Sequence, residues 1–154
     1  MSLLGRIIVI FFALMVASLA AAAAVALAVL GHGGYVFGGS PGGHVAFMMV
    51  TFVGATFIGT VGLLPLAILI AVAEAAKIRA LLAYAVAGAV LLLVGYHMSG
   101  FAPPSYEESI DYPPPPISRA SEIAAASGVV FGFAYWALAG RNAGRWRERR
   151  LPSA

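Results

Sequence analysis

Four uninterrupted apolar runs constrain this chain more than any other feature. Ile7 to Leu30, Val45 to Ala73 and Leu81 to Ser99 contain no Asp, Glu, Lys or Arg, and the run from Glu122 to Gly140 has an acid only at its first position. Each is long enough, at 1.5 Å per helical residue, to approach or exceed the ~30 Å of a hydrocarbon layer. Only helices and closed barrels satisfy their backbone groups in lipid, and runs of this length without alternation point to helices. The expected fold is therefore all-α: a single membrane domain over 1–154, built as a four-helix bundle of two helical hairpins. The expected spans are about 7–30, 45–73, 81–99 and 122–140.

Composition agrees. Of the 154 residues, 62% are hydrophobic and 10% charged, against about 45–50% and 25% in ordinary soluble domains. With no cysteine, disulfides, thiolate nucleophiles and thiol-ligated metals or clusters are excluded.

The first run also invites a signal-peptide reading, since "ASLA" (Ala17 to Ala20) ends in small residues. It stays apolar for ten residues further, which favours a retained helix. Between the first two runs, "GHGGYVFGGSPGGH" (Gly31 to His44) predicts a turn-rich loop over 31–44. Pro65 lies inside the second run, where the missing amide predicts a kink. The segment 100–121 includes Pro113 to Pro116, expected as stiff polyproline II. Ser118 or Ser121 can cap the fourth helix, with Glu122 suited to its first turn.

Charge distribution sets the expected orientation. Arg6, Lys77, Arg79 and the tail residues Arg141, Arg145, Arg147, Arg149 and Arg150 fall on one side of a four-span topology, and Arg119 alone on the other. Eight against one places both termini in the cytoplasm. The tail 141–154, with Trp146 at headgroup depth, is expected to anchor the chain to an anionic inner leaflet. Tyr135 and Trp136 are expected to mark the inner interface of the fourth helix. Arginines beside an aromatic also suit nucleic acid, but ten tethered residues make a poor module for it, so no nucleic-acid partner is expected.

Small residues predict the helix-packing faces. The second helix offers Thr51, Ala55, Gly59 and Gly62, and the fourth offers Ala124, Gly128 and Gly132. The third is less marked, with Ala83 and Ala87. Whether these stripes serve the monomer or a homo-oligomer is open at this level. Thr56 and Thr60 are expected to bond carbonyls of their own helix.

Chemistry-bearing groups are few. No ionisable acid or base stands mid-span, where a coupled transporter usually carries one. Glu74 and Lys77 are spaced for a solvated i,i+3 ion pair. His32, His44 and His97 fall at the outer face, where histidine with carboxylate could hold a metal, but their spacing matches no ligand motif and no metal or other cofactor is expected. Nucleophile-elbow, phosphate-loop and zinc-protease motifs are absent, so no enzyme activity is expected.

"GVVFGFAYWALAGRNAGRW", with "PLAILIAVAEAAKIRALLAYAVAGA" upstream, resembles small four-helix inner-membrane proteins of alphaproteobacteria. The resemblance covers the second half of the chain and implies a bacterial inner-membrane location. That family has no known activity, so no catalytic residue is carried over. The expected role is a structural or accessory component of a membrane complex. The alternatives are a small transporter or channel beside Thr56, Thr60 and Pro65, or an outward-facing metal binder.

Overall fold

A computed structural model of the chain describes residues 3–31, 41–99 and 118–144. Four helices run in sequence: α1, Leu3–Leu30; α2, Pro41–Ala75; α3, Leu81–Met98; and α4, Arg119–Leu138. A short 3-10 turn, Gly140–Asn142, follows α4. Among the described residues there is no strand, and all four helices are long and apolar enough to cross a membrane.

Helix boundaries follow local chemistry. Pro41 opens α2 because a first-turn proline needs no amide partner and already has helical φ. The expected loop 31–44 is therefore too long at its end: Gly42, Gly43 and His44 are helical. The helix α2 continues as one element through Pro65. Of the two candidate caps for α4, Ser118 is the one used; its hydroxyl accepts the Ser121 amide at 3.2 Å, and Glu122 lies in the first turn.

The helices alternate in direction, so the start of α1, the end of α2, the start of α3 and the end of α4 share one end of the bundle. Arg6 on α1 reaches both Glu74 on α2 and the Ala139 carbonyl after α4. Lateral order differs from chain order. The helix α1 packs on α2 and α4, and α4 packs on α3, whereas α2 and α3 touch only sparingly although a five-residue turn joins them. The row is α2, α1, α4, α3.

Alanines seat α1 in this row, with Ala13, Ala17, Ala21 and Ala26 wholly covered. Large apolar side chains point the other way: Phe11, Phe12, Met48, Phe52, Leu64 and Leu82 are all at least 60% exposed. A soluble protein shows no such surface without associating. A bilayer supplies its natural solvent, and close approach of small residues then contributes much of the helix association.

That approach is closest between α3 and α4. A Cβ added at Gly128 would overlap the Gly88 backbone, and one added at Gly132 would overlap the Tyr84 carbonyl. Gly128 and Gly132, with buried Ala124, form the stripe expected on α4. On α3, however, the facing surface is Tyr84, Ala85, Gly88 and Ala89, in place of the expected Ala83 and Ala87. The stripe on α2 is only partly used. A Cβ added at Gly59 would come only within 3.9 Å of the Ser18 hydroxyl, one at Gly62 would meet Leu66 of its own helix, and one at Gly54, outside the stripe, would meet Ala22. Ala55 is half-buried, and the Thr51 hydroxyl has no hydrogen-bond partner among the described residues.

Candidate functional site: a locked basic end and a lateral groove

At the shared end of the bundle a short polar network ties three helices together. Glu74 Oε1 accepts from Arg6 Nε at 2.9 Å and forms an ion pair with Arg6 Nη2. Glu74 Oε2 accepts the Gly144 amide at 2.8 Å. Arg6 Nη2 also donates to the Ala139 carbonyl at 2.8 Å, the oxygen where α4 ends, which also accepts the Asn142 amide of the following 3-10 turn at 3.2 Å. Arg6 is 4% exposed, so its charge is removed from water and must be compensated; the Glu74 carboxylate, taking both guanidinium bonds on Oε1, and the negative end of the α4 dipole do so.

The network extends through the α2–α3 turn. Arg79 Nε donates to the Ala143 carbonyl at 2.9 Å, the Trp136 indole donates to the Arg79 carbonyl at 2.8 Å, and the Tyr84 hydroxyl donates to the Ile78 carbonyl at 2.9 Å. Gly144 has φ +74, a left-handed conformation that turns its amide toward Glu74.

Three expectations change here. The Glu74 side chain is 14% exposed rather than solvated, and Lys77, at φ +53 beyond the last residue of α2, lies outside regular helical i,i+3 geometry. Tyr135 is 4% exposed, so it is no interface marker; its ring packs on Tyr84 with centroids 5.7 Å apart. Trp136 is at the basic end, as expected, but held by a hydrogen bond to the turn. Arg6, counted from sequence only as an orienting charge, is the centre of the lock. A signal was present, since Arg6 stands in the first turn of α1 and Glu74 in the last turn of α2, on antiparallel neighbours.

Above the lock, the gap between α2 and α3 forms an apolar groove. Leu66, Gly88, Phe131, Gly132 and Tyr135 are its buried floor, and Leu69, Val72 and Ala83 are its exposed rim. Ile78 lines the end next to the lock.

The other candidate residues are dispersed. His44 and His97 are exposed near helix ends, and His97 Nδ1 lies 3.1 Å from the Leu93 carbonyl of its own helix. Among the described residues no three His, Cys, Asp or Glu gather closely enough to hold a metal. His32 lies outside the described residues, as do Arg145, Trp146, Arg147, Arg149 and Arg150; Arg141 is exposed. Thr56 and Thr60 are exposed and donate to the Phe52 and Thr56 carbonyls at 2.9 and 2.8 Å. Their hydroxyls are spent within α2.

No family model, curated protein or solved structure matches the chain.

Proposed function

We propose that the chain is an integral protein of a bacterial inner membrane, with the locked end of the bundle in the cytoplasm, serving as a structural or accessory component of a membrane complex. The observation that carries this reading is the Arg6–Glu74 lock. It commits the buried charge of α1 to holding helices together, at the margin of the bundle rather than along a path through it. The absence of any Asp, Glu, Lys or Arg in mid-span supports the same reading, as does the backbone-close packing of α3 on α4. The distribution of basic residues, eight on one side against one on the other, supports the orientation. The resemblance of the second half to alphaproteobacterial inner-membrane proteins supports the location.

The test is affinity purification from the native host in gentle detergent. A membrane protein should co-purify at fixed stoichiometry and be lost when Arg6→Met loosens the lock. Recovery of the chain alone, together with solute flux in liposomes that Thr60→Val abolishes, replaces the accessory role with transport.

A further inference from the structure

We propose that the groove between α2 and α3 binds one acyl chain of an anionic phospholipid, drawn from the leaflet at the locked end. The groove is built for a chain rather than a helix. Its lining runs from Ile78 at the mouth to Leu66 on α2 and Leu91 on α3. The helical part of that lining on α3, Ala83 to Leu91, is roughly 12 Å long at 1.5 Å per residue, under half of the ~30 Å hydrocarbon layer. A bilayer-spanning partner helix needs a seam more than twice as long. The floor is apolar along this length, and the Tyr84 hydroxyl is turned away to the Ile78 carbonyl at the mouth.

Charge at the mouth selects the headgroup. Arg6 and Glu74 neutralise each other, while Lys77 and Arg79 flank Ile78 directly in sequence. The turn carrying Arg141 is held against them, since Arg79 donates to Ala143. The mouth therefore has a net positive charge, at the depth where a lipid phosphate meets the interface. An acyl chain in the groove with its phosphate beside Lys77 and Arg79 satisfies both halves of the site. Lipid binding in the groove does not depend on whether a protein partner co-purifies.

Native mass spectrometry of the purified protein, delipidated and then reloaded with phosphatidylglycerol or phosphatidylcholine, tests it. One phosphatidylglycerol per chain should be retained, with phosphatidylcholine held about fivefold more weakly, the selectivity that roughly one effective basic contact supplies. Ala87→Phe, which fills the groove, should cut retention about tenfold or more; Val86→Phe, on the exposed side of α3, should leave it unchanged. Lys77→Gln should narrow the lipid preference while preserving chain occupancy. Equal retention of the two lipids in the unmodified protein overturns the proposal. So does wild-type retention in a folded Ala87→Phe variant, or a dimer by light scattering that this variant dissociates, which assigns the groove to a second copy.

Discussion

Arg6 and Glu74, separated by 68 positions, are joined by two hydrogen bonds to one carboxylate oxygen, while the other oxygen accepts the Gly144 amide. The pair therefore couples the first turn of α1 to the end of α2 and to the segment after α4. Removing one member leaves the other buried without its counter-charge, which in comparable sites costs about 3–5 kcal/mol. Arg6→Met should show a loss near the lower figure, because the Glu74 carboxylate keeps the Gly144 amide. Thermal unfolding in detergent, followed by circular dichroism, measures it. The double variant Arg6→Met/Glu74→Leu should be less destabilised than the two single losses added together; strict additivity means that the pair is not coupled.

Gly144 offers a separate handle on the same lock. At φ +74 an L-residue is strained by roughly 1–2 kcal/mol, and a Cβ would also stand 2.7 Å from the Lys77 side chain. Gly144→Ala should lower the unfolding midpoint and raise proteolytic cutting within the tail, where Arg145 follows directly. An unchanged midpoint refutes the idea that the post-α4 segment is held by Glu74.

The two small-residue stripes make opposite predictions. Gly132→Ala sets a methyl group against the Tyr84 carbonyl and Ala85 backbone, so α3 must move away from α4. Overpacking of this kind costs about 1–3 kcal/mol. Gly59→Ala meets only the Ser18 hydroxyl at 3.9 Å, an ordinary van der Waals distance, and should stay within about 0.5 kcal/mol of the parent. A denaturation series on both variants ranks them, and the reverse order contradicts the helix row derived above.

Spans, a serine cap and the α4 stripe were legible in the sequence because each rests on a local rule: run length, a serine before an acidic first turn, or glycines four apart, although the choice of Ser118 over Ser121 needed the structure. The partner face of α3 was not legible. Gly88 is buried at the crossing, whereas Ala83 and Ala87 line the groove instead; spacing alone does not say which side of a helix meets a neighbour. Tyr135 was misread for a related reason. An aromatic near a helix end suits the interface, but one facing Tyr84 and the α1 side of the core suits burial. Arg6 and Glu74 needed the antiparallel arrangement of α1 and α2 before their charges could be placed together. The lateral order was equally hidden, because the short turn between α2 and α3 suggests neighbours where the structure opens a groove.

Orientation is the cheapest property to measure. The positively charged residues collect at the locked end, with Lys77, Arg79 and Arg141 beside it and Arg145 to Arg150 following in sequence. Arg119 opens α4 at the opposite end, and the sequence between α3 and α4, residues 100–117, holds three acids. Lysine and arginine resist translocation in short loops, so the locked end should remain cytoplasmic. Alkaline phosphatase fused at residue 110 should be active, because it folds only after export, and the same enzyme fused after residue 154 should be inactive. Moving the bias tests the cause: neutralising Arg145, Arg147, Arg149 and Arg150 together should raise activity at the second fusion while the first declines. Activity at residue 154 in the unaltered protein reverses the bundle in the membrane, and with it the leaflet from which the α2–α3 groove draws its lipid.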